Sequence, residues 1–390
     1  MKILWLTSWF PNRTDPSTGD FIERHANAVA PFVTQLFIIA VIKDMAMPYG
    51  AVEIKKKQTG NQTAYLVYYG KSRWGGVIEK LLSYRKYISL QKKIYKEVVI
   101  EFGKPDMVHL HVAMKAGLFA RQLKKKYSAP YVVTEHWSGY KKECRPSLYD
   151  MGKYYTSLNN AVLKDASLLL PVSNDLGKII TNNFVKINYQ VIPNVVDTNL
   201  FFYEPKPPAV FRFIHPSYMN YPKNPEGILQ ACRLLKDKGC VFEVRMVGNR
   251  KPALVQLAAD MGLLDKYVFI ESAVPYTDVA NMMQQSSALL LFSRYENLPC
   301  VMLEALCCGL PVVSSRVGGI PEIIDESNGI LVDKNEVGQL ANAMQQMMNN
   351  YTKYKRETIA AVAKQQFNYE TVGKQYVEVY KKFQVKKDKN

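Results

Sequence analysis

Apolar residues in this chain cluster in short unbroken runs instead of alternating with polar ones. Residues 2–8, 34–42, 63–69, 106–111, 131–134 and 168–172 read this way in the first half, with 190–192 as a shorter closing run; 211–215, 241–247, 267–271, 288–292, 309–313 and 329–332 do so in the second. Runs of this kind predict strands buried on both faces, as in a parallel sheet covered by helices. Helical spacing of apolar positions fills much of the rest: from about Asp20, over 75–102, 225–238, 336–349, 353–366 and 369–383. Strands alternating with helices, twice over, predict an α/β protein with two parallel sheets. A chain of 390 residues is also too long for one ordinary core and suits two domains. The proline-bearing stretch 204–208 is the expected linker.

Composition narrows the class. Hydrophobic residues at 48% with charged residues at 22% suit a soluble globular chain. The opening MKILWLTSWF is too short for a spanning helix and reads as a first buried strand. The six cysteines show neither zinc nor redox spacing, so they are expected as reduced thiols in a cytoplasm, with Cys307-Cys308 as small residues packing a helix. The net charge of +17 is unevenly divided: residues 1–200 carry 28 Lys and Arg against 15 Asp and Glu, residues 201–390 carry 23 against 19. A basic first half can attract nucleic acid, anionic lipid or a phosphorylated substrate. No recognition helix, zinc finger or RNA-binding signature accompanies the charge, and nucleic acid is not an expected partner. The basic, aromatic-bearing region 75–102, with Trp74, Lys80, Arg85, Lys86, Lys92, Lys93 and Lys96, reads either as a solvated face or as a surface for an anionic membrane. Lys55-Lys56-Lys57 reads as a solvated hairpin or sheet edge.

The chemistry concentrates in residues 293–326. A buried strand ends at Phe292, and a helix is expected after Asn297 as cap and Pro299 as first helical residue. Ligands of open parallel sheets collect at such strand ends, where helix amides hold anions. Glu296 sits in the loop and Glu304 inside the helix. A carboxylate can accept from both hydroxyls of a vicinal diol such as ribose; acidic residues are also favoured near helix starts for electrostatic reasons alone. Elsewhere, His109 and His111 alternate along one strand and so share a face, but without further donors at ligand spacing no metal is expected. His136 stands at the end of the strand 131–134.

Taken together, Glu296, seven residues, Glu304, then Ala305, Gly309, Pro311, Val312, Gly318 and Gly319 resemble the signature of glycosyltransferase family 4. That family comprises retaining, metal-independent, nucleotide-sugar-dependent enzymes of the GT-B fold. Thr134-Glu135-His136 resembles its Thr-x-His, and 191–197 its interdomain segment. The resemblance implies two Rossmann-like domains facing across a cleft, at 1–204 and 205–368, with a final helix 369–390 crossing back to the first. It implies a nucleoside-diphosphate sugar (UDP- or GDP-linked) as donor substrate and no further cofactor. Glu304 would hold the ribose, and Lys223 with the amides around Asn297, Leu298, Pro299 and Cys300 the diphosphate. The loop at Val274 would pack the base, the loop at Gly19 would approach sugar or acceptor, and Glu296 and His136 would contact the transferred sugar.

Two departures stand out. Only Gly19 remains of the usual Gly-Gly pair in the first loop, and Ser217-Tyr218 stand where the family carries Gly-Arg before Lys223. Arg250 or Arg294 is the expected substitute cation. The implied activity is hexosyl transfer to a glycan or polyprenyl-diphosphate-linked hydroxyl in bacterial capsule or surface-polysaccharide synthesis, at the inner face of the cytoplasmic membrane. An epimerase or phosphorylase on the same fold, or a non-catalytic nucleotide-sugar sensor, are the competing readings.

Overall fold

The computed structural model describes residues 1–71, 76–204, 206 and 208–384, apart from the side chains of 77, 78 and 80. Trp74, the Lys80 side chain, Pro205 and Pro207 of the expected linker, and the basic tail from Lys386 lie outside the described residues.

The first sheet contains β1 (Lys2–Thr7), β2 (Gln35–Lys43), β3 (Val52–Thr59), β4 (Gln62–Tyr69), β5 (Met107–His111), β6 (Tyr131–Glu135) and β7 (Leu168–Pro171). Their order is β3-β4-β2-β1-β5-β6-β7, and all neighbours are parallel except the hairpin β3–β4. The lysine triplet 55–57 therefore lies on an exposed edge strand, where charge opposes pairing with another chain. The second sheet contains β8 (Arg212–Ser217), β9 (Glu243–Gly248), β10 (Val268–Ser272), β11 (Ala288–Leu291), β12 (Val312–Ser315) and β13 (Gly329–Val332). It runs β10-β9-β8-β11-β12-β13 and is parallel throughout. The predicted run 190–192 is not a regular strand, but it runs alongside β7: Gln190 N donates to Leu169 O at 3.0 Å and Ile192 N to Pro171 O at 3.1 Å, next to an isolated bridge between Leu169 and Tyr189.

The chain divides into two compact units, Met1–Pro193 with Tyr369–Asn390, and Asn194–Asn368. The expected division at 204/205 falls inside the second unit. Packing explains the earlier crossing: Val195, Val196 and Phe201 are buried, Val196 N donates to Phe367 O, and Asn194 Nδ2 donates to Leu298 O at 2.7 Å. Helices at Gly117–Tyr127, Lys153–Asp165, Asn174–Asn183, Pro252–Asp260 and Tyr276–Gln284 connect strands that the hydrophobic runs had located without them. Among the described residues no helix is long and apolar enough to cross a membrane.

The last helix, Tyr369–Phe383, belongs to the first unit and is tied into it by a directional chain of hydrogen bonds. Trp5 Nε1 donates to the Tyr380 hydroxyl at 3.2 Å; because Thr134 Oγ1 gives its own proton to Tyr376, the neutral His109 ring carries its proton on Nε2, and Nδ1 accepts from the Tyr380 hydroxyl at 2.6 Å. His109 Nε2 then donates to Thr134 Oγ1 at 2.7 Å, and Thr134 to the Tyr376 hydroxyl at 3.5 Å. His109 and His111 share one face, as expected, but it is an interior one. Both are fully buried, and the His111 ring lies 4.1 Å from those of Trp5 and His109.

Burial first, and neighbouring histidines second, hold both imidazoles well below their ordinary range. The unfolded chain therefore binds their protons more readily than the folded one. Their neutral packing contributes fully above about pH 6.5 and is lost as pH falls below it, by about 1.4 kcal/mol per pH unit for each ring. Urea unfolding at about pH 7 and about pH 5 should show His111→Phe losing less stability on acidification than the natural protein, by roughly 2 kcal/mol; an unchanged difference would contradict a neutral His111.

Candidate functional site

In the second sheet the strand order reverses between the parallel neighbours β8 and β11, and ligand crevices of open parallel sheets form at the strand ends flanking such a reversal. The loops leaving those two strands carry Lys223 and Glu296. A cavity of about 740 Å³ opens there, lined among others by Tyr218, Lys223, Arg250, Val274, Tyr276 and Glu304. That volume falls within the usual range of small-molecule sites.

Each loop is fixed from beneath. His215 on β8 is fully buried, and its Nδ1 donates to Leu290 O at 2.7 Å on β11. Its other nitrogen thus accepts from Ser217 Oγ at 2.8 Å, and that hydroxyl accepts from Met219 N at 3.0 Å. The Lys223 loop is thereby anchored to the neighbouring strand through a neutral imidazole, pushed down to about 4 chiefly by burial. At the end of β9, Gly248 has φ 146° and passes so close to β8 that a Cβ would lie 1.8 Å from Ser217 O. Only glycine permits this approach.

Glu296 is held by two donors. Ser293 Oγ reaches its Oε1 at 2.8 Å, and Lys223 Nζ donates to the same oxygen. Ser293 is itself tied to β12, since Ser315 Oγ donates to Ser293 O at 2.6 Å. The helix that follows runs Cys300–Cys307, with Pro299 as its N-cap and extended, one place earlier in role than expected. Asn297 is not the cap. Its carbonyl instead accepts from Gly319 N at 2.7 Å, because the 318–319 turn packs directly on the loop. Glu304 is 3% exposed, faces the cavity, and accepts from the Tyr276 hydroxyl. Gly309, with φ 72°, closes the helix, and Leu310 N returns to Ala305 O at 2.9 Å.

Of the residues singled out from the sequence, Lys223, Val274, Pro299, Cys300 and Glu304 line the cavity. Glu296 joins them through Lys223. Asn297 and Leu298 are buried, their carbonyls engaged by Gly319 and Asn194. Of the two candidate substitute cations, Arg250 lines the cavity, with Nε on Ile270 O at 2.9 Å. Arg294 lies over the Tyr221 ring at 4.3 Å and donates to Tyr221 O, and it is not part of the lining. Sequence reasoning missed Tyr276, Ser293 and Gly248; an aromatic two positions after Val274, at the first turn of a helix, was the available signal for Tyr276.

Gly19 and His136 lie in the first unit. Gly19, φ 70°, precedes the helix Asp20–Val29 and packs on the Trp9–Phe10 backbone, where a Cβ would meet Trp9 C at 2.7 Å. His136 follows β6, half-buried, with its ring 4.6 Å from Phe21 and stacked at 5.9 Å on His111. The adjacent Glu135, the unspecified position of the Thr-x-His match, organises this loop. Its buried carboxylate accepts from His136 N and Trp137 N at 2.9 Å, Ala113 N at 3.0 Å and the Tyr140 hydroxyl at 3.1 Å. Burial nevertheless raises its pKa above the usual carboxylate range. Among the described residues no group of three or more His, Cys, Asp or Glu side chains is placed to hold a metal ion.

Comparison with known proteins gives the family and the fold. Residues 198–366 match the sequence profile of glycosyl transferases group 1, and residues 59–200 that of glycosyltransferase family 4. The chain belongs to this glycosyltransferase family. A Bacillus subtilis relative, the putative teichuronic acid biosynthesis glycosyltransferase TuaC, is 24% identical over 96% of this chain and 95% of its own. Among solved structures, sucrose-phosphate synthase from Thermosynechococcus elongatus superposes with a TM-score of 0.80 at 17% identity, covering 98% and 99% of the two chains. Anabaena HepE in complex with UDP gives 0.71 at 18% identity, covering 98% and 100%. The fold of this glycosyltransferase is GT-B, with two Rossmann-like domains.

The close seating of the 318–319 turn yields a test within this glycosyltransferase. A Cβ at Gly318, where φ is 59°, would stand 2.1 Å from Glu296 O. Gly318→Ala should therefore destabilise the fold by about 1–3 kcal/mol in urea unfolding and lower turnover in the folded fraction. Wild-type behaviour in both measurements would show that the turn does not position Glu296.

Proposed function

We propose that this glycosyltransferase moves a sugar from a nucleoside diphosphate to a hydroxyl of a glycan or lipid-linked acceptor, with retention at the anomeric carbon, in bacterial surface-polysaccharide assembly. The observation that carries the reading is the convergence of Lys223, Arg250 and the Tyr276-held Glu304 on one cavity. A nucleoside diphosphate needs cations for its phosphates and an acceptor for its ribose diol, and the cavity offers both. HepE was solved with UDP, and TuaC is named for teichuronic acid biosynthesis, which supports a nucleotide donor and a polysaccharide product.

In this reading Glu304 accepts from the ribose hydroxyls while Tyr276 fixes its other contacts. Lys223 and Arg250 neutralise the charge that grows on the diphosphate as its bond to the anomeric carbon breaks. Arg250 takes the place of the arginine that the family resemblance puts at Tyr218. Glu296, poised by Ser293 and Lys223, contacts the sugar; His136 serves the sugar or the acceptor. The acceptor oxygen attacks the anomeric carbon from the face the diphosphate leaves, and its proton passes to the departing phosphate oxygen.

Donor identity is found by heat stabilisation with a panel of nucleoside diphosphates, followed by kinetics with the stabilising donor. Glu304→Ala should weaken donor binding roughly tenfold or more, whereas Glu296→Ala should leave binding near normal and lower kcat by about a hundredfold. Arg250→Ala should reduce affinity for the nucleoside diphosphate about tenfold and spare the monophosphate. Unchanged kinetics in Glu304→Ala and Glu296→Ala, or conversion of the donor without any acceptor, would overturn the reading.

A further inference from the structure

Glu135, the last residue of β6, is fully buried in the first unit and takes no part in the lining of the donor cavity. Among the described residues no lysine or arginine pairs with it. A carboxylate buried without a cation is a costly way to fill a core. Its contacts show what it shapes. Oε1 accepts from the loop after β6, His136 N and Trp137 N, both at 2.9 Å. Oε2 accepts from the loop after β5, Ala113 N at 3.0 Å, and from the Tyr140 hydroxyl at 3.1 Å. One side chain thus ties together two loops that leave the carboxyl edge of the first sheet, the edge where parallel sheets carry their working loops.

What it ties down is strained. Val112, 3% exposed, has φ 66°, a left-handed backbone that a β-branched residue rarely adopts. Such a turn persists only where its surroundings over-determine it. Here Val112 N donates to Thr134 O at 2.9 Å, Val112 O accepts from Ser8 Oγ at 3.3 Å, and the next amide, Ala113 N, goes to Glu135. The ends of β1, β5 and β6 are therefore knit at one point. His136 stands on it from two sides: its own N–H is one of the four donors to Glu135, and its ring stacks on His111, the residue before the strained turn. All four partners of the carboxylate are donors. A glutamine could keep its oxygen on His136 N and Trp137 N, but its NH2 would then face Ala113 N. The Tyr140 hydroxyl can reverse; a backbone amide cannot.

We propose that Glu135 is a positioning residue for sugar transfer: by locking the 112–113 turn to the loop of His136, its carboxylate holds the His136 imidazole in the orientation that serves the sugar or the acceptor. This rests on the role read for His136 in the proposed reaction. Its test is a double-mutant cycle in the full chain, comparing Glu135→Gln, His136→Ala and the pair, with the donor that heat stabilisation selects and p-nitrophenyl glycosides as acceptors. Glu135→Gln should lower kcat about tenfold while the donor KM stays within about twofold. In the His136→Ala background it should lower kcat little further, because it acts through that ring. Urea midpoints show each variant folded, and a loss of stability alone would act equally in both backgrounds. Proton NMR gives a second readout without turnover: of the five histidines, His136 is assigned by its absence in His136→Ala, and its ring signal should shift in Glu135→Gln while that of His215 stays. Wild-type kcat in Glu135→Gln beside an impaired His136→Ala, an effect that persists in full without His136, or an unmoved His136 signal would overturn the proposal. Wild-type turnover in His136→Ala would instead refute the role read for His136, and the proposal with it.

Discussion

Lys223 and Glu296 lie 73 positions apart and meet because β8 and β11 are adjacent parallel strands whose loops must leave at the same sheet edge. That constraint organises the second domain. A parallel ladder forces every crossover to return along a helix, so all functional loops gather at the carboxyl ends. Where the strand order reverses, two of them diverge and leave room between. The cavity that unites Lys223, Arg250, Tyr276 and Glu304 is a consequence of that topology before it is a consequence of any one side chain.

Precision in the site comes from beneath the loops. His215 ties the Lys223 loop to β11, Ser315 ties Ser293 to β12, and the Gly318-Gly319 turn seats on the Glu296–Asn297 backbone. Glycine appears where two backbones nearly touch, since any Cβ would force them apart. In the first domain the same logic uses polar side chains: Glu135 gathers the amides of two loops, and His109 joins β5 to the last helix and to Thr134. A buried imidazole can pass one hydrogen bond through its ring while staying neutral, which suits it to linking elements across a core.

The surface divides along the same lines as the chain. Acidic and basic residues nearly balance in the second half, where the charged groups that matter point into a cavity. The first half places unpaired lysines on an outer groove beside protruding apolar residues.

Much of this was legible in the sequence. Continuous apolar runs marked the parallel strands because burial on both faces leaves few positions for polar residues, and the spacing of Glu296, Glu304, Gly309 and Gly318-Gly319 marked the candidate site. Tyr369–Phe383 was readable as a helix from its periodicity. Other features follow from contacts between residues far apart in the chain. Tyr276 was only an aromatic after Val274 until the fold set its hydroxyl on Glu304. Asn194 read as part of the first domain, ahead of a linker at 204–208, but its amide reaches Leu298 and the chain leaves the first unit at 193/194. Arg250 and Arg294 were equal candidates by their place in the chain, and the fold separated them: Arg250 lines the cavity while Arg294 packs on Tyr221. Local sequence determines which backbone a segment can adopt and which face it must hide; which distant partner completes a hydrogen bond depends on strand order, and only the assembled sheets decide that.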